Sequence, residues 1–137
     1  MKKITWLGLR LAMGLIFLWA FVDKLFGLGF ATKSENSWLN GGSPTSGFLM
    51  NATRGPFEAL FQGLAGVSIV DWLFMLGLLF VGLTVTFNKY LKWGALAGSA
   101  MLFLMYLSVF PPANNPFLDD HIVYILVLVL LAYRSTD

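Results

Sequence analysis

The chain contains no cysteine. That excludes a disulfide framework, thiol redox catalysis, cysteine-ligated zinc or iron–sulfur centres and covalently attached haem c. Its single histidine excludes haem held by two histidines of one chain. Charge is scarce as well. Asp, Glu, Lys and Arg make up 12% of 137 residues, against about a quarter in a soluble domain. What is present instead is apolar: 58% hydrophobic residues and a mean hydropathy of +0.75. Half the usual charge with more than the usual apolar share points to an integral membrane protein. The length suits one domain, read here as residues 1–137.

A helix needs about 20 mostly apolar residues to cross a hydrocarbon core about 30 Å thick. The first candidate is ITWLGLRLAMGLIFLWAFV, residues 4–22, broken only by Arg10. A second covers residues 69–87 with Asp71 near its start, and a third covers 91–110, ending before Pro111-Pro112. The fourth lies in NNPFLDDHIVYILVLVLLAY. Ile122 to Tyr133 alone would be roughly 18 Å long, too short to cross. Asn115 is a good N-cap and Pro116 suits a first helical position, so the span is predicted over 116–133, roughly 27 Å. That register puts Asp119, Asp120 and His121 in the first two helical turns. The opening MKK resembles a secretory signal, but Asp23-Lys24 follows without a small-residue cleavage site, so an uncleaved first helix is expected.

The fold class expected is therefore all-α: an antiparallel four-helix transmembrane bundle. Gly94 and Gly98 form a small-xxx-small pair for close packing, and Gly8, Ala12, Gly77 and Gly82 offer similar surfaces. Lys2, Lys3, Lys89, Lys92 and Arg134 mark the inner side, with Arg10 a little way into the first span. The outer side then holds Lys24, Lys33 and Arg54 with Asp23, Glu35, Glu58, Asp71, Asp119 and Asp120, a net negative set; of the acids, only Asp137 is inward. Both termini are expected in the cytoplasm and the chain in a prokaryotic plasma membrane.

Residues 23–68 form a long outer loop, and a long loop in a compact chain is usually functional or disordered. This one is rich in Trp, Phe and Leu. SPTSGFL predicts a short helix capped by Ser43 with Pro44 first, and GPFEALFQGLAG predicts another from Pro56. In the second, Phe57, Leu60, Phe61 and Leu64 share a face and Glu58 and Gln62 the opposite one. Short interfacial helices capping the bundle are expected.

Three span ends meet at this outer level, bringing Asp23 and Lys24, Asp71, and Asp119-Asp120-His121. Singly, each has an ordinary explanation. Acids near helix N-termini gain about 0.3–1 kcal/mol from the macrodipole. Asp23 and Lys24 suit an interfacial ion pair, Arg10 can snorkel to the inner surface, and Trp6, Trp19, Trp72 and Trp93 suit an aromatic belt. Together they weigh differently, because ionisable groups in spans tend to mark binding sites or proton paths. Asp71, Asp120 and His121 are the candidate catalytic groups. Asp23, Trp19, Trp72, Tyr106 and Tyr124 are the candidate cofactor-binding groups, and Lys24 and Arg54 the candidate substrate-binding cations. Histidine is the side chain whose ordinary pKa lies near neutrality. Such a set suits a flat amphiphile that exchanges protons, and a quinone fits. No metal site is expected.

LRLAMGLIFLWAFVDKLFGLGFAT, WLNGGSPTSGFL, GPF, DWLFMLGLL and NPFLDDHIVYILVL together resemble the DoxX/DoxD family, in the same order along almost the whole chain. The family's four-helix membrane proteins include the small subunit of thiosulfate:quinone oxidoreductase. The resemblance implies oxidation of thiosulfate to tetrathionate with electrons passed to membrane quinone, and a second subunit on the outer side. The net negative outer side would repel a thiosulfate dianion at long range, so Lys24, Arg54 and protonated His121 would have to overcome it. The alternative is a non-enzymatic scaffold that docks a redox partner through the outer loop. A small transporter ranks last, because no acid lies mid-span. The expected surroundings are a lipid membrane and no nucleic acid; self-association stays open.

Overall fold

A computed structural model describes residues 1–135, and Asp137, expected on the inner side, lies outside them. Among the described residues the regular structure is entirely helical. Four longer helices dominate: α1 (Lys2–Phe26), α4 (Ser68–Phe87), α5 (Leu91–Ser108) and α6 (Asp120–Tyr133), with the short α2 (Ser46–Asn51) and α3 (Glu58–Gln62) between α1 and α4. Three of them, α1, α4 and α5, are long and apolar enough to cross a membrane.

Neighbouring helices run antiparallel, as their close contacts show. Along α1, Arg10 reaches Val85 and Thr86 near the end of α4. One turn and two turns later, Gly14 meets Thr86 and Leu18 meets Gly82. Along α5, Gly94 lies against Thr84 and Gly98 against Val81, while Met101 covers Gly77. Gly98 also meets Leu128 of α6. The small residues thus sit where backbones approach most closely. Between them Met13, Phe17, Met75, Val81, Val85, Leu91, Leu128 and Leu131 fill a continuous core. The outward faces are apolar too: Leu73, Leu96 and Leu126 are 65%, 62% and 63% exposed. Water would penalise so large an exposed apolar surface, whereas a bilayer accepts it. In lipid, packing and hydrogen bonds rather than hydrophobic burial hold helices together, which is why the glycine contacts matter.

The helix bounds differ most from expectation at two places, and α5 stops at Ser108, short of 110. α1 continues past Val22 to Phe26 and stops at Gly27, which is left-handed with φ 68°; Asp23 and Lys24 are therefore in its last turn, not in the loop. At α6 the difference runs the other way. Helix begins at Asp120, not Pro116, and spans 14 residues, roughly 21 Å. Two local bonds account for this. Asn115 Oδ1 accepts from the amides of Phe117 and Leu118 (2.9 and 3.0 Å) and closes a turn there. Asp119 is extended and its carboxylate accepts from His121 N (2.9 Å), taking the N-cap position.

The connecting segment also departs in detail. Ser43 Oγ accepts from Ser46 N at 3.1 Å, but α2 starts only at Ser46 with Thr45 before it. A 3₁₀ turn over Gly55–Phe57 leads into α3. Of its expected apolar face, Phe61 is buried while Leu60 is 65% exposed, and Gln62 bonds Glu58 at the surface (3.0 Å).

Arg10 does not snorkel free. Its Nη1 donates to the carbonyls of Val85 (3.1 Å) and Thr86, and its guanidinium stands 5.4 Å from the Trp6 ring centroid. These are last-turn carbonyls, the negative end of the α4 macrodipole.

A side chain at Gly14 would meet the backbone of Thr86, whereas one at Gly8 meets nothing within 4 Å. Gly14→Ala is expected to lower stability by about 1–3 kcal/mol through overpacking. Gly8→Ala should raise it by about 0.5–1 kcal/mol through helix propensity. Thermal unfolding in one detergent compares the two; equal midpoints would contradict this packing.

Candidate functional site

Antiparallel packing brings the end of α1 and the starts of α4 and α6 to one level, under the segment that joins α1 to α4. Each of the three acidic positions there has its own partners. The Asp23 side chain, 1% exposed, accepts from three successive amides of the loop. Oδ1 takes Phe30 N at 3.3 Å, and Oδ2 takes Ala31 N at 2.9 Å and Thr32 N at 3.0 Å. The left-handed Gly27 turns the chain back over the helix end to make this possible; a Cβ there would strike Ser34 and Lys33. Among the described residues no salt bridge joins Asp23 to Lys24, although the two charges attract.

Asp71, in the first turn of α4, is 8% exposed. Its Oδ1 accepts from the hydroxyls of Ser43 (2.7 Å) and Thr45 (2.6 Å). Burying a carboxylate is costly unless it is hydrogen-bonded, and the loop supplies both bonds. Alongside, Trp72 packs edge-on to Trp38 with centroids 4.7 Å apart, and Trp19 packs edge-on to Phe30 at 5.0 Å. Helix ends and loop are thus joined by paired polar and aromatic contacts.

At the start of α6, Asp119 does two jobs. Oδ1 caps the helix through His121 N, and Oδ2 lies 2.8 Å from His121 Nδ1. With Nδ1 donating to Asp119, the neutral ring leaves Nε2 as an acceptor, and a proton there turns it into a donor. Both side chains are partly open, 21% and 19% exposed. They border a cavity of about 510 Å³ shared with Asp120, Arg54, Leu118, Val109 and Pro112, within the range of small-molecule sites. Arg54 is a clamp as well as a wall. Its backbone amide donates to Ser108 O (3.0 Å), Nε to Val109 O (3.2 Å) and Nη2 to Pro111 O. Gly55 beside it, at φ 80°, lets the two chains touch, since a Cβ would strike Phe110 O.

The structure therefore brings Asp120, His121 and Arg54 together and leaves the other expected site residues elsewhere. Asp71, Asp23, Trp19 and Trp72 hold the loop. Tyr106 donates its hydroxyl to Phe117 O, stacks with Phe103 and meets Phe110 edge-on, pinning the segment before α6. Tyr124 is half-buried against the core, and Lys24 is half-buried in the last turn of α1. Sequence reasoning missed Ser43 and Thr45 as partners of Asp71 and the amides of 30–32 as partners of Asp23. Among the described residues no group of His, Asp and Glu is placed to hold a metal ion. Comparison with protein-family models, curated proteins and solved structures gives no match for this chain.

Asp23→Ala is expected to cost the loop at least about 2 kcal/mol, one charge-assisted bond with the remaining amides rehydrated. Hydrogen exchange should read this as roughly 30-fold faster exchange at the amides of Phe30, Ala31 and Thr32. Unchanged exchange would remove Asp23 from the loop's support.

Proposed function

We propose that the chain is a membrane subunit that binds a quinone headgroup in the cleft at the start of α6 and exchanges protons with it. The observation that carries this reading is the hydrogen-bonded Asp119–His121 pair opening onto an apolar-walled cavity with Asp120 and Arg54. In this reading α6 crosses the bilayer beside α1, α4 and α5. Its roughly 21 Å are completed by the irregular segment 111–118, which is tolerable where backbone lines a cavity. The joining loop faces outward and caps the bundle.

The residues fit a quinone better than they fit an anionic donor. A flat ring needs apolar walls, and Val109, Pro112 and Leu118 provide them. A quinone carbonyl needs a donor, which His121 Nε2 supplies when it carries a proton, with Asp119 holding the ring by Nδ1. Bound quinone supplies an acceptor of two electrons and two protons. In this reading His121 and Asp120 hand over the protons, while Arg54, held by Val109 and Pro111, closes the wall. Thiosulfate fits poorly, because two carboxylates line the cleft and the Arg54 guanidinium is already engaged by two carbonyls. In this reading oxidation of the donor belongs to a second subunit on the outer side, and the family that the sequence resembles includes an enzyme with such a subunit.

A second reading, a non-enzymatic scaffold, has its own support. Asp23 and Asp71 are consumed in making the loop rigid, which is what a docking surface requires.

The test is mass spectrometry of the organic extract from protein purified in mild detergent. Quinone near one per chain, lost in His121→Gln and in Asp120→Asn but kept in Asp71→Asn, is the expected result. Absence of quinone from the wild type, with an outer partner retained, would move the assignment to the scaffold.

A further inference from the structure

The opposite end of the bundle carries a second cavity, about 400 Å³, between the first turns of α1 and the end of α6. Lys2, Lys3 and Arg134 line it, with Trp6 and Leu7 as its apolar wall. Among the described residues no acidic side chain lines it. Behind the wall, the Arg10 guanidinium lies over the Trp6 ring and adds to the positive field. Leu7, part of that wall, and Ile4, three residues before it on the flank of α1, are both exposed. A cationic mouth therefore sits beside an open apolar strip, at the end of helices whose outward faces are apolar.

We infer that this cavity is a site for the phosphate headgroup of an anionic phospholipid, with the acyl chains along Ile4 and Leu7. The amphiphilic geometry chooses the lipid over free phosphate: a soluble anion uses the cations and has no use for the exposed strip. Basic pockets at the ends of membrane helices favour acidic headgroups for this reason. The inference rests on the seating of the helices in a bilayer and is independent of the quinone reading.

The test uses the full chain in detergent micelles, titrated with phosphatidylglycerol, phosphatidylcholine or inorganic phosphate and read by native mass spectrometry. The wild type should hold one phosphatidylglycerol and neither of the others. The variant Lys2→Gln/Lys3→Gln/Arg134→Gln should bind it about a hundredfold more weakly, roughly fivefold for each cation removed. Lys89→Gln/Lys92→Gln, which removes two exposed cations outside the cavity, should bind as the wild type does. Phosphatidylcholine binding as tightly as phosphatidylglycerol would overturn the site. So would equal loss in the two variants, or competition by inorganic phosphate at the lipid's own concentration. If the triple variant does not fold, the comparison of the two lipids on the wild type still decides. Quinone content of the same sample separates this outcome from that of the cleft.

Discussion

The buried Asp71 carboxylate, accepting from Ser43 and Thr45, is the contact on which the upper part of the molecule depends. A carboxylate at that depth is tolerable only when its oxygens are satisfied. Its donors come from more than a helix-length away in the chain, so satisfying it fixes where the loop must lie. Asp23 repeats the device with backbone amides. Once the loop is held at both places, Arg54 is brought against the end of α5, and its bonds to Val109 and Pro111 shape the wall of the α6 cleft. The acids at this level therefore divide the work. Those under the loop build it, and those at α6 remain open.

The helices themselves obey a different constraint. Their outward faces are as apolar as their inward ones, so burial does not tell them which way to face in lipid. Close backbone approach does. Gly14, Gly82, Gly94 and Gly98 stand where a Cβ would collide with the neighbouring helix, and they set the antiparallel order that gathers the acidic ends at one level. Arg10 adds one directional contact at the other end, against the last carbonyls of α4.

Much of this is legible in the residues. Unbroken apolar runs make α1, α4 and α5 visible, and small-xxx-small spacing marks the α5 seam. The ends are less legible because caps compete. Asn115-Pro116 looks like a helix start, yet Asn115 closes its own turn and Asp119 takes the cap four residues later. Val22 looks like an end, yet nothing stops α1 before Gly27. The gathering of Asp120, His121 and Arg54 was readable only in part: the first two are adjacent, but Arg54 arrives through backbone contacts no pattern announces. The partners of Asp71 lie 26 and 28 residues away, and a Ser or Thr in a loop carries no mark of which buried acid it serves.

The central claim is that the loop is anchored through Asp71, and a double-mutant cycle between Asp71→Ala and Thr45→Val tests it most directly. Stabilities would be measured by unfolding in a single lipid–detergent mixture. The account predicts a coupling of about 1–3 kcal/mol, since residues joined by a buried hydrogen bond do not behave additively. Additive losses, with coupling near zero, would contradict it.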